Sequence, residues 1–249
     1  MKILLTNDDG IQAIGLRALF RVLVDAGHDV TCVAPISEMS AVGHAVTMSL
    51  PLKTKIFREN GFRGTGVTGT PADCVKLALG SLMRDDPPQL VVSGINAGAN
   101  CGVDILYSGT VSAATEGSFM GLPSLAVSYD NFRPESLDGP ARYVVGFIDR
   151  QPWGKLPPRC VLNLNFPDMP VEQTKGLKIC RLTRAAYDDW YDKRVDPRGN
   201  EYYWLDGVIP PEKLSRDSDR YLVSQGYITV TPLKFDLTDV ETMALLSEE

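Results

Sequence analysis

The stretch "MKILLTNDDG" (residues 1–10) decides how the fold is read. Ile3, Leu4 and Leu5 form an apolar run that stops before Asn7, and two carboxylates, Asp8 and Asp9, follow before Gly10. An apolar run without polar alternation suits a strand covered on both faces, as in a parallel sheet. Adjacent carboxylates repel each other, so a pair at the end of a buried strand needs a cause.

The same kind of run recurs in "DVTCVAP" (29–35), "QLVVSGIN" (89–96), "PSLAVSYD" (123–130) and "RCVLNLNFP" (159–167). Helix-period stretches lie between them. "GLRALFRVLVDAG" (15–27) repeats its apolar residues at 16, 19, 20, 23 and 24 and ends in glycine. "TPADCVKLALGSLM" (70–83) opens with a threonine cap, proline in the first turn and Asp73 beside them. "GTVSAATEGSFMG" (109–121) is rich in small residues that allow close packing on a sheet. Strand alternates with helix, which predicts an α/β fold with a doubly wound sheet. After about residue 183 the character changes. "TRAAYDDWYDKRVDPRGNEYYWLDG" (183–207) is aromatic and charged, with "DPRGN" as a turn, and reads as a long β-hairpin outside the parallel sheet. A final strand in "GYITVTPLKFDLT" (226–238) and a short terminal helix complete the chain. Residues 1–249 thus read as one domain, with a core over 1–182 and an arm, strand and helix over 183–249.

Of the 249 residues 44% are hydrophobic and 22% charged, enough for a substantial core. The net charge of −6 argues against a nucleic acid polymer or an anionic membrane as partner. No apolar run reaches the ~18 residues of a membrane span, and no secretion leader is visible. The five cysteines are scattered without a C-x-x-C pair, which predicts reduced thiols and a cytoplasmic location. Two histidines, His28 and His44, are too few for a zinc site built from several histidines.

In an open parallel sheet, ligands bind outside the carboxyl ends of the strands. That edge receives Asp8 and Asp9 from the first loop, Ser37, Glu38, Ser40 and His44 from the second, and Asn96 from "SGINAGANCG". Carboxylate, hydroxyl and amide oxygens are hard ligands that suit magnesium, manganese or calcium. A divalent cation would hold the two acids together and offset their repulsion. One aspartate alone would serve as well as a helix cap. A second motif, "YSGTVSAATEG" (107–117), puts Ser108, Gly109 and Thr110 where a helix begins, and a helix start offers free N–H groups to an anion. A metal beside an anion cradle is what phosphate chemistry requires. "GTGVTG" (64–69) matches a dinucleotide fingerprint but lies outside the first strand–helix turn, so we read it as a chance match. His44 reads equally as a proton donor or as a polar wall residue. Cys74 and Cys101 read as packing residues, since no histidine can be paired with either thiol.

Taken together, "ILLTNDDGIQAIGLRAL", "VAPISEMSAVGHAVT", "GTPADCVKLAL", "VVSGINAGANCGVDILYSGTVSAATEG" and "GYITVTPL" resemble the SurE family of survival-protein phosphatases, in register over nearly the whole chain. The resemblance implies metal-dependent hydrolysis of nucleoside 5′- and 3′-monophosphates, with short polyphosphate as a further candidate substrate. It implies a Rossmann-like three-layer α/β/α core with a mostly parallel sheet. It also implies a swapped C-terminal part, in a dimer or tetramer. By matching motif positions it places one magnesium or manganese ion per subunit on Asp8, Asp9, Ser40 and Asn96, choosing Ser40 where spacing alone left Ser37, Glu38 and Ser40 open. Asn96, Ser108, Gly109 and Thr110 are then expected on the phosphoryl group, and Asp8, Asp9 and His44 in the chemistry. Water is the expected nucleophile, because carboxylates engaged by a cation attack poorly. Cys101 departs from the family pattern in its loop, which raises the expectation that activity is sensitive to oxidation. The alternative is a non-catalytic nucleotide or phosphate sensor on the same fold.

Overall fold

A computed structural model describes residues 1–247. In chain order the elements are β1 (Lys2–Thr6), α1 (Ile14–Asp25), β2 (Asp29–Pro35), β3 (Thr54–Glu59), β4 (Phe62–Val67) and α2 (Pro71–Leu77). Then come β5 (Leu90–Ala97), α3 (Gly109–Phe119), β6 (Ser124–Tyr129), α4 (Asp138–Arg150), β7 (Cys160–Phe166) and β8 (Leu177–Ile179). The C-terminal part supplies β9 (Asp188–Val195), β10 (Glu201–Val208), α5 (Asp219–Ser224), β11 (Ile228–Lys234) and α6 (Val240–Leu246).

Nine strands form one sheet in the order β3-β4-β2-β1-β5-β6-β7-β11-β8. From β4 to β7 all neighbours are parallel. β3 runs antiparallel on one edge, and β11 pairs antiparallel with β7 near the other. Strands β5 and β6 are buried along almost their whole length because helices cover both faces. Ile3, Leu5, Val92 and Ile95 meet α1 and α4 residues such as Leu16, Leu19, Val144 and Phe147 on one face. On the other, Leu4, Val33 and Val91 pack with Val75 of α2 and Ala113 of α3. This is the doubly wound three-layer α/β/α arrangement that the sequence predicts. The chain order turns back between β1 and β5, so the crevice of such a sheet opens at the carboxyl ends of those two strands.

Thr70 caps α2 as expected: its hydroxyl accepts from Asp73 N at 3.1 Å, and Asp73 Oδ2 accepts from Thr70 N at 2.9 Å. The helix predicted over 70–83 is regular only to Leu77, and a wider π turn carries it through Leu82. The "GTGVTG" stretch lies in β4 and the turn after it, where a side chain at Gly66 would stand 2.6 Å from the Phe57 ring. Ring packing therefore accounts for that glycine.

The hairpin β9–β10 forms a sheet of its own, and Asp196 and Asn200 close its turn. Tyr191, Tyr203, Trp204 and Leu205 are exposed along it, as are Val240, Met243, Leu245 and Leu246 on α6. Among the described residues no helix is long and apolar enough to cross a membrane.

Candidate metal and phosphate site

β1 ends one residue before Asn7, and the Asn7 side chain donates to Gly10 O at 3.0 Å, which turns the chain sharply at the acids. Asp8 is 4% exposed. It lies under the first turn of α3: a Cβ at Gly109 would come within 2.6 Å of Asp8 Cβ, so only glycine lets the helix start close on the acid. Thr110 Oγ1 donates to Asp8 Oδ1. Ser108 caps α3, its hydroxyl accepting from Val111 N at 3.1 Å. Asp9 Oδ2 accepts from Ala97 N at 3.1 Å, tying the first loop to the end of β5. Asn96 is 9% exposed and donates Nδ2 to Gly98 O at 2.7 Å. That bond orients the amide and leaves Oδ1 free as an acceptor. Ser40 donates Oγ to Glu38 Oε1 at 2.6 Å.

Asp8, Asp9, Glu38, Ser40, Asn96 and Ser108 line one cleft of about 730 Å³. Its electrostatics are unfavourable without a cation. Burial pushes the Asp8 carboxyl above its ordinary value. Burial, with the Asp8 charge next and Glu38 behind it, pushes Asp9 to about 7. The single cation among the described residues lining the cleft is Arg220, and its guanidinium is already paired with Asp104. Among the described residues no three His, Cys, Asp or Glu side chains gather into a metal cluster, so a cation here would take two carboxylates and neutral oxygens. Such a donor set fits a hard divalent ion.

Three expected site residues stand differently. Thr110 is fully buried and its hydroxyl is spent on Asp8, so it holds the acid and does not face the cleft. Gly109 lies beneath Asp8 and contributes backbone only. His44 is outside the cleft lining: its Nε2 bonds Glu116 Oε2 at 2.8 Å, and its ring stacks on Phe119 at 5.7 Å. Lys76 completes that cluster through Glu116 Oε1 at 2.7 Å. The oxidation expected at Cys101 is also corrected. Its thiol is fully buried, and burial pushes its pKa well above the ordinary value, so it is inert packing.

The cleft also holds residues that sequence reasoning missed. Asp104, Tyr187 and Arg220 meet there: Tyr187 Oη donates to Asp104 Oδ2 at 3.2 Å, and Arg220 Nη2 reaches both. They come from the loop after β5, the base of the hairpin and the start of α5, and no spacing rule joins such distant positions. Asn100 is held from below. Asn165 Oδ1 accepts from Asn100 N at 2.8 Å, and Asn163 Nδ2 donates to Asn100 O at 2.8 Å. A signal for this existed: two asparagines, i and i+2, share one face of an otherwise apolar buried strand.

Fold and site together define a doubly wound α/β protein with an acidic pair at its topological switch point. The family model described as survival protein SurE matches residues 3–189. A relative named 5′-nucleotidase SurE from Solidesulfovibrio magneticus is 63% identical over 247 residues, covering 99% of this chain and 96% of its own. Another of that name from Syntrophobacter fumaroxidans is 46% identical, covering 100% and 99%. The crystal structure of the SurE protein from Aquifex aeolicus superposes with a TM-score of 0.86 at 36% identity, covering 100% of this chain and 99% of that one. The chain belongs to the SurE family.

Proposed function

We propose that this chain is a phosphomonoesterase, dependent on a divalent cation, that hydrolyses nucleoside 5′- and 3′-monophosphates to nucleoside and phosphate. Short polyphosphate is a second substrate class to be assayed. The observation that carries the reading is the buried Asp8 with the partly buried Asp9 next to it, beside the free Asn96 Oδ1 and the capped start of α3. Relatives named 5′-nucleotidase along the full length support it. A bare anion sensor fits less well, because two carboxylates repel a phosphate unless a cation sits between them.

In this reading Asp8, Asp9, Ser40 and Asn96 hold one magnesium or manganese ion. Bound there, such an ion would supply charge neutralisation on the phosphoryl group and would acidify water. Thr110 fixes Asp8, and Ala97 N–H fixes Asp9. Ser108 and the backbone N–H groups that open α3 orient the phosphoryl oxygens. Water is the nucleophile, since both aspartates are engaged, and a cleft carboxylate takes its proton. His44, turned onto Glu116, leaves protonation of the departing oxygen to water in the open cleft. The enzyme assembles as a dimer or tetramer through the hairpin arm and the terminal helix, whose exposed aromatics and leucines support that view. Five unpaired cysteines support a cytoplasmic location.

The test is phosphate release from AMP, GMP and a 3′-nucleotide with magnesium, with manganese and with chelator. Release with metal and none with chelator is expected. Tight nucleotide binding without turnover under any metal would instead establish the sensor.

A further inference from the structure

We propose that Phe132 is the platform on which the nucleobase of the substrate stacks. This rests on the nucleotide reading of the cleft given above. Phe132 is 84% exposed, an unusual state for a phenylalanine. It lines the same cleft as Asp8, Asp9 and Asn96. The loop that carries it follows β6, so it rises from the sheet edge that also presents the acids.

The ring is not loose. Its immediate neighbour Asn131 donates Nδ2 to both carboxylate oxygens of Asp168, each at 3.1 Å. Asn131 Oδ1 accepts from Arg133 N at 2.7 Å, and Asn131 N donates to Tyr129 O at 2.7 Å. The residue before the ring is thus fixed on three sides, and the residue after it by one of the same bonds. The ring rests on Gly98, where an added Cβ would lie 2.6 Å from Phe132 Cε1. Gly98 has a φ of +115, a backbone conformation that favours glycine. Its carbonyl accepts from Asn96 Nδ2, the amide assigned to the cation. Ring, acids and the start of α3 thus face one cleft, with Gly98 between Asn96 and the ring. Gly98 thereby couples the two ends of the cleft.

An exposed aromatic in the same cleft as the acids, on a loop held by hydrogen bonds on either side of it, fits a flat aromatic ligand group. Holding the ring in place before binding removes an ordering cost. Stacking is tolerant of base identity, because every base presents a π-face. The expected specificity is therefore broad, with larger purines favoured over pyrimidines. Tyr107, 61% exposed in the same cleft, offers a further aromatic surface.

The experiment compares wild type, Phe132→Ala and Phe132→Trp on AMP, CMP and ribose 5-phosphate, which keeps the phosphate and sugar but lacks a base. AMP binding by calorimetry is measured alongside. An exposed side chain can be truncated without harm to the fold, and the melting temperature checks this. Phe132→Ala should lower kcat/KM for AMP about tenfold and weaken AMP binding to match, leaving ribose 5-phosphate unchanged. Phe132→Trp should restore AMP. Equal losses on AMP and ribose 5-phosphate, or AMP binding indifferent to the substitution, would overturn the platform. Wild type that binds AMP through Phe132 but releases no phosphate would leave the platform standing and defeat the nucleotidase reading.

Discussion

Thr110 Oγ1 donates a hydrogen bond to Asp8 Oδ1, joining the first turn of α3 to the acid that follows β1, 102 positions earlier in the chain. The bond fixes the direction of a carboxylate that would otherwise be free to turn away from the cleft. Partners of this kind typically change metal affinity or activity by about 10–100-fold when removed. Thr110→Val should therefore raise the metal concentration needed for half-maximal activity by about tenfold, and Thr110→Ser should restore it. A fall in kcat with an unchanged metal requirement would return Thr110 to the phosphoryl group, where the sequence had suggested it.

Asp8→Asn and Asp9→Asn should each abolish turnover without disturbing the fold. They should also do something a structural role would not. In chelator, burial and then the Asp8 charge both disfavour the ionised form of Asp9. Replacing Asp9 by the neutral amide removes that penalty, so the metal-free variant should melt at a higher temperature than the metal-free wild type. Excess magnesium or manganese should then raise the melting temperature of wild type but not of Asp9→Asn.

Asn165 reads the Asn100 backbone with both ends of its amide, accepting from N and donating to O at 3.2 Å. Asn165→Leu leaves the buried Asn100 N–H without a partner, a loss of about 1–3 kcal/mol. Because Asn100 lies in the loop after Asn96, kcat should fall along with stability. Urea unfolding and steady-state kinetics on the same variant check both.

How much of this could be read beforehand follows from where the information sits. β1, β5, β6 and β7 are continuous apolar runs because both of their faces are covered, and that pattern is visible locally. Asp8, Asp9 and Asn96 were legible because a strand end has a fixed place in a parallel sheet. The hairpin β3–β4 was not, because β3 is mostly exposed and β4 contains two glycines. Helix α4 was missed although Val144, Val145, Phe147 and Ile148 carry the period, since Gly139 and Pro140 at its start resemble a loop. Proline is tolerated in a first helical turn. Tyr187, Arg220 and Phe132 reach the cleft only through tertiary packing, which no local pattern encodes. Glu116 likewise gave no sign of gathering His44 and Lys76.

That cluster gives a pH signature. The hydrogen bond from His44, with Lys76 behind it, holds the Glu116 carboxyl below its ordinary value of 4.5 despite its burial. A carboxylate that binds its proton less tightly when folded stabilises the fold fully above the unfolded pKa. The contribution fades as pH falls through the lower folded value. Glu116→Gln should thus cost about 2 kcal/mol at neutral pH, the scale of hydrogen bonds to charged groups. The gap to wild type should close in acid. A gap that stays constant from neutral pH to below the folded pKa would assign the loss to packing.

The hairpin supplies the last prediction. β9 and β10 pair only with each other and do not join the nine-stranded sheet. Tyr191, Tyr203, Trp204 and Leu205 stay exposed, while Tyr187 at the hairpin's base is drawn into the cleft instead. The arm therefore has two distinct parts: a base that completes the chain's own site and a tip whose aromatics stay exposed among the described residues. A two-stranded ribbon of this kind is marginal in water unless something packs on it, and a second copy of the chain is the simplest cover. Light scattering at micromolar concentration should give a dimer or tetramer. Tyr203→Lys with Trp204→Lys at the tip should lower the assembled mass while leaving the far-ultraviolet circular dichroism intact. Turnover should change little in those variants, because the cleft is lined by Tyr187 and Gly207 and not by the tip. Tyr187→Phe should do the reverse, altering KM with assembly unchanged. A monomeric wild type would refute the arm as an interface. Loss of turnover in step with loss of assembly would show that the cleft itself is completed by the neighbouring copy.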